Sequence, residues 1–326
     1  MRRLLVIFFC CLIPGCAARA TTWNEPWHEE VMANSDSFVK VKIIAIRGST
    51  CQADVLKFLA GMPLPERIEL AGYSKLRITS FAPFTDELRL PFRTGEIYYL
   101  FIKKDPQTNK YQIPTPTSGW ARLKQGTVFA TYRHSYHQAL VPEDIYEQTM
   151  QAIFRNIKGQ PYDTKFVGSF LKQQLSMTIA TLTKNDEAMN QRFFLQHVAL
   201  ETFYYLKKGA DLSLLIPFVN SDNYHVQISA CRALSAIDSP ASRELLMKFI
   251  EGKGTGFARV MCVWGLKRLN AKEMIPRLKA FLESGDDEET EFGGNIMDPR
   301  VGTVFPDSVK ESVRTLLSEW GQPVPQ

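Results

Sequence analysis

The sequence predicts a multidomain β plus α fold, in which a small antiparallel β-barrel is followed by a short α-solenoid of helical hairpins. Two patterns support this prediction: apolar residues alternate with period two in the N-terminal half, and a helical motif recurs in the C-terminal half. The chain has 326 residues, 45% of them hydrophobic and 22% charged, which suits two globular domains. We predict a signal peptide over residues 1–20, a barrel over 21–140, a linker helix over 141–165 and a solenoid over 166–322.

The repeat lies between Leu195 and Leu282, and its copies begin at offsets of 31 and then 32 residues. The three copies read Ala199-x-x-Thr202-Phe203-x-x-Leu206, Ala230-x-x-Ala233-Leu234-x-x-Ile237 and Cys262-x-x-Gly265-Leu266-x-x-Leu269. Each continues into a second apolar row, formed by Leu215, Phe218 and Val219, by Leu246, Phe249 and Ile250, and by Leu278, Phe281 and Leu282. Small residues allow helices to approach closely, and a hairpin with one apolar face must stack on neighbours.

Less regular helical patterns flank the repeat. Segments 166–180 and 187–195 predict an imperfect first repeat that caps the stack, and 308–320 predicts a closing helix. Pro142-Glu143-Asp144 predicts the start of the linker helix, because proline is tolerated in a first turn and acidic residues suit its positive end. Lys158-Gly159 predicts its end.

The N-terminal half predicts short strands separated by turns. Segments 38–43 and 53–59 predict a hairpin around Gly48-Ser49, and residues 105–110 predict a turn between two later strands. The remaining candidates are 67–70, 76–79, 97–103, 111–113 and 128–132. Irregular spacing and intervening prolines favour a small antiparallel barrel over a parallel sheet. Before the first strand, residues 21–35 predict a short amphipathic segment whose tryptophans pack on the domain.

The N-terminus predicts export. Met1-Arg2-Arg3, an apolar run to Ile13 and a small-residue region follow the order of a secretory signal, and the apolar run is too short for a membrane anchor. Ala18-Arg19-Ala20 fits a cleavage site, whereas Ile13-Pro14-Gly15-Cys16 resembles a bacterial lipobox with Cys16 as the lipidated residue. Both alternatives stay open. The chain is thus expected to be periplasmic or lipid-anchored to the cell envelope, and Cys16 is its one expected route to a membrane.

Charge argues against nucleic acid as a partner. The full sequence has 39 basic and 34 acidic residues, but three arginines lie within the first 20 residues, so cleavage leaves 36 against 34. A net charge of +2 gives little counterion release on binding a polyanion. Between Leu195 and Leu282 the balance is more basic, with 12 Lys and Arg against 7 Asp and Glu. We therefore expect exposed cations on one side of the solenoid to contact an acidic protein partner, namely Arg232, Arg243, Arg259 and Lys267.

The sequence offers weak candidates for chemistry. Cys51, Cys231 and Cys262 remain after signal removal, and an odd number forms no complete disulfide set. For Cys231 and Cys262, on neighbouring first helices of the repeat, we favour buried thiols and keep a bridge as the alternative. His134 and His137 are expected to be polar surface residues, since an extended segment would place them on opposite faces. The acidic run 286–291 lacks the ligand order of a calcium loop and predicts a solvated loop.

The barrel segment resembles a known module. Asp36-Ser37-Phe38-Val39-Lys40-Val41, the strand ending at residues 55–61 and Gly95-Glu96-Ile97-Tyr98-Tyr99-Leu100-Phe101-Ile102 look like the OB-fold barrel of tissue-inhibitor-of-metalloproteinase and netrin-like modules. Those inhibitors place an N-terminal cysteine amine in a protease zinc site. Because Thr21 or a lipidated Cys16 would stand first here, the resemblance implies the barrel framework and not the inhibitory chemistry. The repeats resemble HEAT repeats, including the phycobilin-lyase relatives, which implies a fold rather than a function.

These patterns lead to a functional expectation without catalysis, cofactor or metal. No nucleophile elbow and no phosphate-binding loop is present in the sequence, and Trp264 lies within an apolar helix face that favours a core position. We expect a non-catalytic protein-interaction scaffold or adaptor of the bacterial envelope. An alternative is an inhibitor or ligand-binding barrel for which the solenoid is a spacer. A third is a hydrolase, which would depend on residues such as Cys51 or His134.

Overall fold

The computed structural model describes ten strands and ten α-helices. Its described residues are 23–24, 26–48, 50–71, 92–115, 118–134, 137–209, 211–252, 254–290, 301–302 and 305–324. The strands are β1 (Trp23–Asn24), β2 (Ser37–Arg47), β3 (Thr50–Gly61), β4 (Arg67–Ala71), β5 (Ile97–Lys104), β6 (Tyr111–Gln112), β7 (Trp120–Lys124), β8 (Thr127–Thr131), β9 (Gln138–Pro142) and β10 (Val301–Gly302). The helices are α1 (His28–Ala33), α2 (Glu143–Ile157), α3 (Thr164–Leu175), α4 (Glu187–Leu206), α5 (Leu212–Val219), α6 (Tyr224–Leu234), α7 (Pro240–Glu251), α8 (Gly256–Arg268), α9 (Ile275–Ser284) and α10 (Val309–Glu319).

Five strands close into a barrel. The pairing runs β2–β3–β4–β6–β5 and returns from β5 to β2, with antiparallel neighbours except for a short parallel contact between β4 and β6. The predicted hairpin is β2–β3, and the predicted turn at 105–110 joins β5 to β6. Strand β7 pairs with residues 97–100 of β5, on the edge opposite β2, and β8 and β9 continue the sheet from β7. The barrel is therefore confirmed, whereas β7 and β9 were not predicted, and the predicted strand 76–79 lies outside the described residues.

The period-two pattern of β2 and β5 divides the barrel between two apolar environments. Val39 and Val41 point into the barrel interior with Leu100 of β5. Their neighbours Phe38 and Phe101 point outward, where their rings stack at 4.6 Å between centroids. On that outer side they join the apolar core of the helices, which continues without interruption from α1 to α10. The barrel and the helices are thus packed against each other through β2, β5 and α2.

The predicted helices are present in the C-terminal half. The three repeat copies fall on α4–α5, α6–α7 and α8–α9, and the predicted closing helix is α10. The segments predicted separately at 187–195 and 199–206 form one continuous helix, α4. Helices α4, α6, α8 and α10, which we call the helix row, contact one another in that order, while α5, α7 and α9 each pack on the next member of the row.

Short polar side chains begin the helices of the row. The side chains of Asp186, Asn223, Thr255 and Ser308 accept hydrogen bonds from backbone N–H groups in the first turns of α4, α6, α8 and α10, respectively. Such caps satisfy donors that no helical carbonyl can reach. The N-terminal segment lies over this row, because Trp27 contacts Trp264 of α8 with ring centroids 5.6 Å apart. Among the described residues, no helix combines the length and the apolar character needed to cross a bilayer.

Candidate binding site

Two of the four cations expected on the surface are buried. Arg232 is 4% exposed and Arg259 is 1% exposed, so the prediction that they form an open basic surface is wrong. Their long side chains run between helices and end on acceptors inside the protein. Arg259 donates from Nε to the carbonyl of Ile250 at 2.9 Å and from Nη2 to the carbonyl of Asp286 at 3.0 Å. It therefore links α8 to the end of α7 and to the acidic loop.

The other two expected cations are accessible and already paired. Arg243 of α7 forms ion pairs with Asp238, which precedes that helix, and with Glu273 in the turn before α9. Lys267 of α8 lies 2.6 Å from a carboxylate oxygen of Glu319 on α10, and its side chain is 53% exposed. Exposed pairs of this kind contribute little to stability because solvent screens them, so both side chains can exchange partners. Cys16, the expected lipidation site, lies outside the described residues.

His134 and His137 are buried, which corrects the expectation that they are surface residues. Their exposures are 3% and 8%. The segment between β8 and β9 folds back over the helix row instead of running along the surface, and His134 forms a β-bridge with Trp27. His137 contacts the ring of His197 on α4 at 4.1 Å and that of His225 on α6 at 5.0 Å between centroids. Sequence spacing could not indicate this, because the three rings come from distant segments.

Behind these rings lies a buried network that centres on Glu201 of α4, which has no solvent exposure. One carboxylate oxygen accepts from the Ser229 hydroxyl at 2.7 Å, and the other accepts from Nε of Arg232 at 2.9 Å. Arg133 donates to the Ser229 oxygen at 3.0 Å, and its nearest distance to Glu201 is 4.0 Å. A charge-assisted network of this kind fixes the positions of the barrel extension, α4 and α6 relative to one another.

The two arginines of the network differ in proton affinity. Burial lowers the pKa of Arg133 to about 10, and the more distant Glu201 offsets this only in part. Burial also opposes the charge of Arg232, but the adjacent Glu201 carboxylate raises the pKa of Arg232 well above its ordinary value. The difference follows from the two separations from Glu201, 4.0 Å and 2.9 Å. Both guanidinium groups are therefore charged at neutral pH.

Ser229, His197 and Glu201 meet in this network, but the directions of their hydrogen bonds do not suit nucleophilic catalysis. Nδ1 of His197 lies 3.0 Å from the Ser229 oxygen. Because an ionised carboxylate can only accept, the Ser229 proton is directed to Glu201, and the His197 Nδ1 must then donate to Ser229. A general base would instead have to accept the serine proton. Ser229 also has no solvent exposure, so the trio holds helices together.

The imidazoles around the network stay neutral. Burial lowers the pKa of His137 and of His197 well below the ordinary value, and the positive charge of Arg133 acts in the same direction. Burial also lowers the pKa of His225 to about 4 and that of His28 to about 3. Several ring nitrogens, including His197 Nε2 and both nitrogens of His28, are buried without a hydrogen-bond partner. No hydrogen bond from the described residues offsets the cost of removing these nitrogens from water.

A cleft of about 510 Å³ opens beside these rings, and we call it the histidine cleft. Its walls include Arg133, His137 and His225, the first residues of α6 and α8, and Glu288 and Glu289 of the acidic loop. The acidic run is thus only partly the solvated loop that was predicted, because the backbone of Glu289 packs against Gly256. In the described parts of the chain, no group of three or more His, Cys, Asp and Glu side chains is arranged to hold a metal ion.

A second cleft of about 310 Å³ lies at the opposite, C-terminal ends of the helices in the row, near the last turns of α4, α6 and α8. Arg232, Lys267 and Arg268 line it together with Glu29, Tyr204 and Trp264, and we call it the basic cleft. Trp264 and Lys267 also border a third cleft of about 580 Å³ that continues along α10. Trp264, predicted as a core residue, does pack on the core but also separates these two clefts.

Cys231 and Cys262 are buried thiols, which is the state that the sequence favoured. Cys51, Cys231 and Cys262 are buried and free, so the bridge between Cys231 and Cys262 is not formed. Burial raises the pKa of the Cys51 thiol to about 12, which leaves it protonated and a poor nucleophile at neutral pH.

Comparison with known proteins does not add to this description. No protein-family model matches the sequence, and no match was found among curated proteins.

Proposed function

We propose that this chain is a non-catalytic interaction protein of the bacterial cell envelope, and that it binds a protein partner along the helix row. The observation that carries the proposal is the continuous pair of clefts that meet at Trp264 and Lys267 and extend over α4, α6, α8 and α10. Trp, Tyr and Arg are enriched at the centres of protein interfaces, and Trp264 lies in the first of these clefts with Tyr204 and Arg268. The buried Ser229 trio serves packing in this proposal, not chemistry.

The finer architectural assignments belong to the same proposal. The repeat offsets of 31 and 32 residues, and the packing of each second helix on the next first helix, support a HEAT-type solenoid. The closed five-stranded barrel supports an OB-like domain of the netrin and metalloproteinase-inhibitor kind. Export rests on the N-terminal sequence alone, and both cleavage after Ala20 and lipidation of Cys16 are compatible with an envelope role.

Photo-crosslinking in intact cells tests which face carries the partner. A photoreactive amino acid is placed at Lys267 or Thr315, which are exposed on α8 and α10 and border the two clefts, and for comparison at Leu56 or Met62 of the barrel side. We expect the same protein to be crosslinked from both positions on the row and from neither barrel position. Absence of any crosslinked protein at the row positions, with the chain folded and correctly located, would contradict the proposal.

A second candidate function has a specific observation in its favour. Leu56, Phe58 and Met62 on and just after β3 are large apolar side chains with exposures of 48%, 42% and 58%. Leu56 and Phe58 lie two residues apart on β3, where the pairing with β2 is interrupted at Leu56, and both side chains are exposed. Such a patch favours a barrel that binds a ligand or partner itself, with the helices as a spacer. Crosslinks confined to the barrel positions would favour this second function over the first.

A further inference from the structure

The basic cleft contains more cationic than anionic groups. Its lining includes three cations, Arg232, Lys267 and Arg268, and one carboxylate, Glu29. Arg232 is paired with Glu201 behind the cleft, and Lys267 is paired with Glu319. Glu201 is fully buried and already accepts from Ser229 and Arg232. Arg268 has no carboxylate partner among the described residues, and its contacts are a 3.4 Å hydrogen bond to the carbonyl of Tyr204 and the Tyr204 ring. The excess positive charge thus lies at an accessible position.

One donor in this cleft is buried and unmatched. Nη2 of Arg232 has no hydrogen-bond partner, and the Arg232 side chain is only 5% exposed to solvent. A carboxylate oxygen of Glu29 lies 3.8 Å from this nitrogen, which is too long for a hydrogen bond. A buried guanidinium N–H without an acceptor is costly, so an oxygen placed here by a ligand gains a charge-assisted hydrogen bond.

The surroundings favour a carboxylate on a flexible segment. The guanidinium carbons of Arg232 and Arg268 lie 3.9 and 4.0 Å from the centre of the same Tyr204 ring, which fixes both planar groups beside the cleft. A volume of about 310 Å³ admits a side chain but not a folded domain. Tyr204 and Trp264 provide apolar walls for the methylene groups of an acidic side chain.

We infer that the basic cleft binds a carboxylate side chain from an acidic segment of the partner protein, between Arg232 and Arg268. This inference rests on the proposed function, because it specifies the chemistry of the partner bound along the row. In the free protein, Glu29 provides a weak internal substitute for that carboxylate. Its side chain is 40% exposed and lies 3.8 Å from Arg232, so a ligand can replace it at little cost.

Fluorescence anisotropy with the purified full chain tests the inference. The probes are a fluorescein-labelled peptide rich in Asp and Glu and the matched peptide with Asn and Gln, at constant ionic strength. We expect the acidic peptide to bind and the amide peptide to bind at least about tenfold more weakly. Equal binding of the two peptides, or displacement of the acidic peptide by inorganic phosphate at submillimolar concentration, would overturn the assignment to carboxylate.

Variants locate the binding. Arg268→Gln should weaken the acidic peptide by about tenfold, the range expected for one bidentate charged contact. Lys248→Gln is the matched control, because it removes one positive charge from a 65% exposed side chain on α7, outside the three clefts. Glu29→Gln should instead tighten binding several-fold, since it removes the internal competitor. Equal losses for Arg268→Gln and Lys248→Gln, or weaker binding of Glu29→Gln, would refute the site.

The outcomes separate this inference from the proposed function. If the row positions still crosslink a partner while the acidic peptide does not bind, the row is an interface and the carboxylate assignment is wrong. If neither occurs, both fail. Urea unfolding of each variant shows whether a loss of binding follows from a loss of structure.

Discussion

Acid should destabilise this protein through its buried histidines, and His28 allows the effect to be isolated. The imidazole is 3% exposed, has no hydrogen-bond partner at either nitrogen, and lies edge-on to the Phe101 ring at 5.1 Å. Burial lowers the pKa of His28 from 6.5 to about 3. The unfolded chain therefore binds a proton more readily than the folded chain between these two values, and stability falls as the pH falls from about 6.5 towards 3.

The magnitude follows from proton linkage. With a pKa of 6.5 in the unfolded chain and about 3 in the folded chain, His28 alone removes about 2 kcal/mol of stability between pH 8 and pH 5. His137, His197 and His225 act in the same direction, because the pKa of each is lowered by burial. Few carboxylates titrate above pH 5, so the histidines dominate this interval.

The test is to replace His28 by a ring that cannot be protonated. His28→Phe keeps the contact with Phe101 and removes two unmatched nitrogens, so its stability at pH 8 should be within about 1 kcal/mol of wild type. Between pH 8 and pH 5, the free energy of unfolding of the variant should rise by about 2 kcal/mol relative to that of wild type. Urea unfolding followed by tryptophan fluorescence at both pH values measures this.

Met32→Leu provides the control, because Met32 is fully buried on the same helix and does not titrate. It should shift stability equally at both pH values. If His28→Phe also shifted both values equally, His28 would not be neutral and buried in the folded chain, and the reasoning would be refuted.

Three further predictions concern the network, one turn and the thiols. Glu201→Gln should cost about 3–5 kcal/mol in urea unfolding, because two buried guanidinium groups lose their counter-charge, whereas Glu283→Gln at an exposed position should change little. Gly61→Ala should cost about 3 kcal/mol, because φ is +94° and an added Cβ would lie 2.2 Å from a backbone oxygen, while Gly48→Ala, with φ of +58° and open space, should cost about 1 kcal/mol. The thiols of Cys51, Cys231 and Cys262 should be protected from alkylation until the chain unfolds, as mapped by mass spectrometry. A disulfide between any two of them would contradict the structure.

The strand pattern predicted the barrel, and the helical period predicted the helices of the C-terminal half, because both patterns reflect burial of one face. Period two in β2 separates Val39 and Val41 inside the barrel from Phe38 outside it. Strands β7 and β9 were not predicted, since β7 mixes apolar and charged residues without alternation and β9 ends in the proline that caps α2. In so short a segment, pairing with β8 determines the strand more than the residue pattern does.

The candidate site was predicted only in part. Arg232 and Lys267 were selected from charge, and both line the basic cleft. The burial of Arg232 was not predicted, because composition does not show whether a cation on a helix faces solvent or another helix. The partners Arg133 and Glu201 are 68 positions apart in the sequence, and only the packing of the β8–β9 segment on α4 brings them together.

One signal in the sequence could nevertheless have located the network. In the aligned repeats, Glu201, Arg232 and Trp264 stand at the same position, two residues after Ala199, Ala230 and Cys262, respectively. Equivalent positions of stacked repeats face one direction and lie next to their counterparts in neighbouring repeats. An acidic residue followed by a basic one at this position predicts an ion pair between α4 and α6, and the structure has it at 2.9 Å.

Trp264, the third residue at this repeat position, continues the line that begins with Glu201 and Arg232. Arg232 lies over the Trp27 ring at 5.1 Å, and Trp27 in turn contacts Trp264 of the next repeat. The row therefore presents an acid, a base and an aromatic ring in sequence along equivalent positions, with Trp27 and Glu29 of the N-terminal segment placed against the last two. Glu29, Arg232 and Trp264 all line the basic cleft, so this line of equivalent positions ends at the surface where we propose that the partner binds.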